Sequence, residues 1–354
     1  MGEAGAVTVA HLTRPEIALP PHEVATGEIV ADIVARHPDH PKLGAIRRVI
    51  SRLGVDHRRF MRPLASVAAE AEITERNRRA YQDARDQAFT AVSRLLERTG
   101  AAPADVDAVI TSHTTSWTSP GLDVALCNEF RLRPGTTRVP MGSLGCVGGA
   151  HALARAADHL RTGRGDTVLV VVAETLSAVY QHADTTIEAM IYKALFGDSA
   201  AAVLMTREPD GPGFAVEDYT EILLPHSTDR YRGRLDAGGL HFDSTGAALT
   251  ATGDVLPHLR PWLDARPAPQ WAAVHPGGPR ILTDTANALG LDPEADLRPS
   301  WDSLRERGNL GGAAVLDVLA RHHDAPPPPG APGLLLAYGP GFAATALTGH
   351  WHAG

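Results

Sequence analysis

The stretch Met141-Gly142-Ser143-Leu144-Gly145-Cys146-Val147-Gly148-Gly149-Ala150 decides how the chain is read. Glycines at 142, 145, 148 and 149 permit a tight strand-to-helix turn and close approach by other backbone. Behind them Ala150, Leu153, Ala154, Ala156, Ala157 and Leu160 make the next segment apolar almost all round, which predicts a buried helix. A thiol at the start of such a helix feels the positive end of the macrodipole, which favours the thiolate. Cys146 is therefore a candidate nucleophile; a packing cysteine in a small-residue helix is the competing reading.

Outward from this turn, residues 138–140 predict a short strand before it, and residues 167–173 an uninterrupted apolar strand buried on both faces. Upstream, the pattern predicts a strand at 7–12, a helix entered at 26–28 and a long amphipathic helix over 74–96 closed by Gly100. A buried strand follows at 107–110, then a polar turn over 111–119 and a helix from Pro120. A further helix falls near 185–194. This alternation argues α/β layers. Residues 205–270 read as a long, less regular insertion, and residues 325–330 as a stiff Pro-rich surface connection.

The second half repeats the first. Gly145-Cys-Val-Gly-Gly-Ala is matched by Gly308-Asn-Leu-Gly-Gly-Ala, and Asp107-Ala-Val-Ile by Trp271-Ala-Ala-Val. Phe196-Gly-Asp-Ser-Ala-Ala-Ala is matched by Tyr338-Gly-Pro-Gly-Phe-Ala-Ala. Three matches in one order imply a duplicated α/β unit with a pseudo-twofold axis, divided here into residues 1–205 and 206–354. The N-termini of two equivalent helices then meet near the axis, which brings Cys146 to face Asn309.

Bulk composition sets limits. The 354 residues carry a net charge of −8, which argues against a general nucleic-acid binder. Two cysteines, Cys127 and Cys146, form no disulfide framework and suit a reducing cytoplasm. No signal peptide, no membrane-length apolar run and no metal-ligand motif is evident, so neither a membrane nor a metal is expected as partner. The basic segment Arg47, Arg48, Arg52, His57, Arg58, Arg59 and Arg62 suggests phosphate recognition or, equally, a solvated helix face.

His275 follows an apolar strand and lies in a Gly/Pro turn, His275-Pro-Gly-Gly-Pro, suited to a base or hydrogen-bond donor at a strand end. A Cys/His/Asn set can take up an acyl group from a thioester, decarboxylate a malonyl thioester and hold the resulting enolate with uncharged donors. The Cys146 N–H and a donor from the Gly339-Pro340-Gly341-Phe342 loop would serve the tetrahedral intermediate. A papain-like protease uses the same residue types, but there the cysteine lies near the N-terminus in another motif.

With these residues in place, the chain resembles a type III polyketide synthase, chalcone synthase-like and of the bacterial branch, within the thiolase-fold superfamily. The resemblance runs from about Arg47 to Trp351 and rests on Gly145-Cys146, Leu195-Phe196-Gly197-Asp198, His275-Pro-Gly-Gly-Pro-Arg-Ile-Leu, Gly308-Asn309 and Tyr338-Gly-Pro-Gly. It implies a pseudo-duplicated five-layer αβαβα fold and a homodimer using CoA thioesters without a bound cofactor. It also implies Cys146, His275 and Asn309 as the catalytic triad, with Phe196 and Phe242 as gate residues. Thr115, Val179, Gly233 and Gly311 are implied to line the pocket, and Arg58 and Arg59 to lie near the CoA phosphates. Glycine at 233 and 311 is expected to leave room for a longer chain. An alkylpyrone or resorcinol-type product from a fatty acyl starter is therefore expected, with a malonyl-primed tetrahydroxynaphthalene-type synthase as the alternative. A single-condensation ketoacyl-ACP synthase III-like enzyme and a catalytically silent partner subunit are the more distant readings. Ser119 stands where many relatives carry a methionine that reaches into the partner's cavity.

Overall fold

The computed structural model describes residues 9–354, so Val7 and Thr8 of the first expected strand lie outside the described residues. One path of hydrogen-bonded strands runs through Trp271–Val274, Pro332–Gly339, Ala343–His352, Gly213–Leu223, Ala10–Leu12, Ser199–Thr206, Thr167–Glu174, Ala108–Ser112 and Thr137–Met141. The order is mirrored about the antiparallel pairing of Ala10–Leu12 with Gly213–Leu223. Two steps out on each side lie the matched parallel pairs, Ala108–Ser112 with Thr167–Glu174 and Trp271–Val274 with Pro332–Gly339. The duplication seen in the sequence is thus a duplication of strand order.

Alternation along two buried strands, Thr167–Glu174 and Pro332–Gly339, explains the layering. Val168, Val170 and Val172 share a core cluster with Leu335 and Ala337, and between them lie the helices Gly148–Arg161 and Ala314–Asp324. Leu169, Val171 and Ala173 point the other way, onto Ala84, Ala88 and Leu95 of the helix Ile73–Thr99. Leu334 and Leu336 likewise point outward, onto Val255, Leu259, Leu282 and Leu304. The result is αβαβα. Gly100, in the left-handed region at φ 71°, ends the long helix where expected.

Small residues let the two central helices touch. A Cβ on Gly149 would stand 2.2 Å from the Gly312 carbonyl oxygen, so backbone meets backbone at the pseudo-twofold axis. Residues 205–270 are more regular than expected. They supply the sheet strand Gly213–Leu223, the hairpin Tyr231–Asp236 with Gly239–Ser244, and the helix Ala251–Asp264. The strand was obscured by polar Glu217, Asp218 and Glu221, none of them buried, and the helix by Pro257 and Pro261 within it.

Candidate active site

Cys146 sits in the turn Gly145–Val147 immediately before the helix Gly148–Arg161. Gly145 has φ +55°, and a Cβ there would lie 2.9 Å from Pro340 Cδ, so the turn closes against the 339–342 loop only with glycine. Asn309 reaches the same point from the second half: its Nδ2 lies 3.7 Å from the Cys146 sulfur. Its Oδ1 accepts from the Gly311 N–H at 2.9 Å, which assigns the two ends of the amide, and lies 3.9 Å from the same sulfur. The main chain of Asn309 is tied to the Phe196 segment, donating to Leu195 O at 2.9 Å and accepting from Gly197 N–H at 3.1 Å.

His275 caps the strand Trp271–Val274, held by its own N–H on the Leu336 carbonyl at 2.8 Å. The imidazole is 1 % exposed, and its Nδ1 has no partner among the described residues. Cys146, His275 and Asn309 all line one cavity of about 390 Å³. Phe196 and Phe242 line it too, meeting edge-on at 5.7 Å, while Tyr192 stacks on Phe196 at 5.1 Å.

Burial governs the electrostatics. It pushes the Cys146 thiol up to about 12, although the Asn309 amide pulls the other way, and it depresses His275 to about 3. Burial therefore outweighs the thiolate expected from the helix N-terminus and favours a neutral thiol and a neutral imidazole on the wall of one cavity. Two neutral donors lining one cavity can hold an enolate oxygen without protonating its carbon.

One residue escaped the sequence reading. Glu174 ends the apolar strand Thr167–Glu174, lines the cavity and is 1 % exposed. Its Oε2 accepts from the Thr114 N–H at 3.1 Å, its Oε1 has no partner among the described residues, and burial raises its carboxyl to about 8. A carboxylate directly continuing a doubly buried strand was the available signal.

Several expected positions are corrected. Thr115 is buried behind the cavity, its hydroxyl accepting from the Thr175 N–H at 2.9 Å, and Thr114 takes the wall instead. Val179 packs in the core while Leu176 lines the cavity. Gly233 pairs across the hairpin with Phe242, and its neighbours Tyr231 and Arg232 face the cavity. Gly311 does line it, but at φ +61°, and a Cβ would come within 3.2 Å of both Glu174 and Leu176. Backbone conformation, rather than spare volume, calls for this glycine. In the 339–342 loop, Gly339, Pro340 and Phe342 form cavity wall and Gly341 does not; the Phe342 N–H is already committed to the Ser227 hydroxyl. Arg58 is 0 % exposed and lies off the cavity wall; its terminal nitrogens donate to Val24 O, Thr26 Oγ1 and Ala194 O, while its Nε has no partner among the described residues. Arg59 pairs with Glu23 at 2.6 Å and also lies off the cavity wall.

A duplicated αβαβα fold that brings a thiol, a carboxamide and an imidazole to its pseudo-twofold axis defines a condensing enzyme of the thiolase fold. Residues 22–216 match the family described as FAE1/type III polyketide synthase-like proteins. The chain is 31% identical to the phloroglucinol synthase of Pseudomonas fluorescens over 97% of this chain and 99% of that one. It is 31% identical to a 1,3,6,8-tetrahydroxynaphthalene synthase of Streptomyces coelicolor over 97% of this chain and 92% of that one. The crystal structure of the tetrahydroxynaphthalene synthase from Streptomyces coelicolor superposes with a TM-score of 0.93 at 30% identity, covering 97% of this chain and all of that one. Germicidin synthase of the same organism, a type III polyketide synthase, gives 0.91 at 32% identity over 97% of this chain and all of that one. The chain belongs to the type III polyketide synthase family. It is an acyltransferase acting on CoA thioesters.

Proposed function

We propose that Cys146, His275 and Asn309 carry out decarboxylative condensation on malonyl-CoA, the observation carrying this being the Asn309 amide 3.7 Å from the Cys146 sulfur in the cavity that His275 also lines. As an acyl-CoA enters, His275 takes the Cys146 proton, the sulfur attacks the thioester carbonyl, and CoA leaves as its thiol with that proton. Malonyl-CoA then loses its carboxylate as CO₂. The electron pair becomes an enolate whose oxygen accepts from His275 and Asn309. Its carbon attacks the acyl carbonyl on Cys146, expelling the sulfur and leaving a chain two carbons longer on CoA. The Cys146 N–H, with Gly339 at the opposing loop, would serve the tetrahedral intermediate. Activation comes from the thioesters, so we assign no bound cofactor and no metal. Phe196 and Phe242 stand as gate residues on this reading.

For the starter, the malonyl-primed reading gains weight over the long alkyl one. The spare volume expected at Gly233 and Gly311 is not what those glycines provide. The wall near Cys146 instead carries the phenols of Tyr192 and Tyr231 and the carboxyl of Glu174, groups that can hydrogen-bond a poly-β-keto chain. Relatives named as phloroglucinol and tetrahydroxynaphthalene synthases agree with such a product class. Incubation with malonyl-CoA alone and with a panel of acyl-CoAs, read by mass spectrometry, tests this. Polyhydroxylated aromatics from malonyl-CoA alone are expected, and strict dependence on a fatty acyl-CoA would overturn the starter assignment.

We further propose a cytoplasmic homodimer whose protomer divides at 205/206. Both cysteines are free, and among the described residues no helix is long and apolar enough to cross a membrane. The strand Thr137–Met141 ends the sheet path with one open edge, and Trp117 is 77 % exposed on a loop that Asn77 clamps by two hydrogen bonds. Sedimentation as a monomer at micromolar concentration would rule the dimer out.

A further inference from the structure

Arg58 is a fully buried guanidinium without a carboxylate partner among the described residues. Such a charge is costly to bury. Its NH2 donates to Thr26 Oγ1 at 2.7 Å and to Ala194 O at 2.5 Å, and its NH1 donates to Val24 O at 3.2 Å. Ala194 belongs to the last turn of the helix Ile187–Leu195, where carbonyls lack helical partners and a cation suits the dipole. The next carbonyl, Leu195 O, accepts the Asn309 N–H, and two residues on Gly197 N–H donates to Asn309 O. The stem of Arg58 fits beneath both flanking glycines. Cβ atoms built on Gly197 and Gly308 would stand 3.3 and 3.6 Å from the Arg58 Cβ.

Resting on the decarboxylative reading above, we propose that Arg58 is a positioning residue for that step. Its guanidinium fixes the end of the helix that leads into Phe196, and through the Leu195–Gly197 backbone it sets where the Asn309 amide points. It contacts neither CoA nor the reacting atoms. A buried arginine in the chain's basic segment thus serves the enolate site from behind, leaving phosphate recognition to other residues.

The test is ¹⁴CO₂ release from [3-¹⁴C-carboxyl]malonyl-CoA by the full-length protein, with kcat and KM measured separately. Arg58→Gln is expected to lower kcat about ten- to a hundredfold, the loss typical of a misplaced catalytic group, with KM for malonyl-CoA within about twofold. Arg58→Lys, keeping the charge on a single donor nitrogen, is expected to recover part of that loss. In an Asn309→Ala background, Arg58→Gln should add less than about threefold, because the two act through one amide. A raised KM at unchanged kcat would instead make Arg58 a CoA contact and overturn the proposal. Full multiplication of the two losses would overturn it as well, by making the role of Arg58 independent of Asn309. Should Arg58→Gln fail to fold, Thr26→Val decides, since it removes one anchor of the guanidinium and keeps the charge. A kcat loss at constant KM supports the proposal there, and an unchanged kcat overturns it. Absence of CO₂ release by the unsubstituted enzyme would sink the decarboxylative reading itself, a result distinct from all of these.

Discussion

Replacing Glu174 by glutamine offers a quantitative check on the electrostatics of the cavity. The side chain keeps its shape and the bond from the Thr114 N–H to Oε2, but loses the ionisable group. Burial raises the native carboxyl from 4.5 to about 8. Below pH 4.5 both folded and unfolded chains hold this proton, and Glu174 imposes no pH-dependent cost. Between 4.5 and about 8 the unfolded chain has released it while the folded chain retains it, so folding stability falls as pH rises. The slope is about 1.4 kcal/mol per pH unit, and the full span of 3.5 units amounts to roughly 5 kcal/mol. Glu174→Gln removes that slope and leaves other titrating groups in place, notably Asp198, raised to about 7, and His275, lowered to about 3. Urea unfolding of both proteins at pH 5, 6, 7 and 8 is the assay. The variant should gain on the parent by about 3–4 kcal/mol between pH 5 and 8, at that same slope. Stability curves that stay parallel over this range would mean an ionised Glu174 in the folded protein, and the argument from its burial would fail with it.

Three further outcomes follow from the site. Cys146→Ala should abolish chain extension yet retain CO₂ release from malonyl-CoA, because His275 and Asn309 remain; full extension by this variant contradicts the covalent mechanism. Phe196→Ser removes the stack on Tyr192 and the edge contact with Phe242, and should shift chain length or starter range; an unchanged product profile removes the gate assignment. Gly311→Ala must place a Cβ at φ +61° and within 3.2 Å of Glu174 and Leu176. It should cost at least about 1–2 kcal/mol in urea unfolding, and a variant of unchanged stability would restore the spare-volume explanation.

What the sequence revealed, and what it concealed, divides along physical lines. The turn at Cys146, the helix behind it and its partner at Asn309 were readable because close backbone approach requires glycine and alanine in fixed places. Strands such as Thr167–Glu174 were readable because burial on both faces leaves an unbroken apolar run. The matched segments then fixed the duplication, since equal sequence order implies equal strand order about one axis. Concealed features were those where residue type and location disagree. Arg58 looks like a surface cation, and only three-dimensional neighbours show its guanidinium sealed against Val24, Thr26 and Ala194. Glu174 looks like a strand terminus, yet it faces the cavity. Pocket positions drifted by one to three residues, from Thr115 to Thr114, from Val179 to Leu176 and from Gly233 to Tyr231 and Arg232. Which residue of a turn or hairpin faces inward depends on local register, which similarity at a distance does not preserve.

The central claim is that the growing chain is held covalently on Cys146. Intact-protein mass spectrometry after brief exposure to acyl-CoA, with the adduct mapped to a peptide, tests it most directly. The account predicts one acyl group per chain, on the peptide containing Cys146 and absent from Cys146→Ala. An adduct on Cys127 instead, or products formed with no adduct on Cys146 at any time, would contradict it.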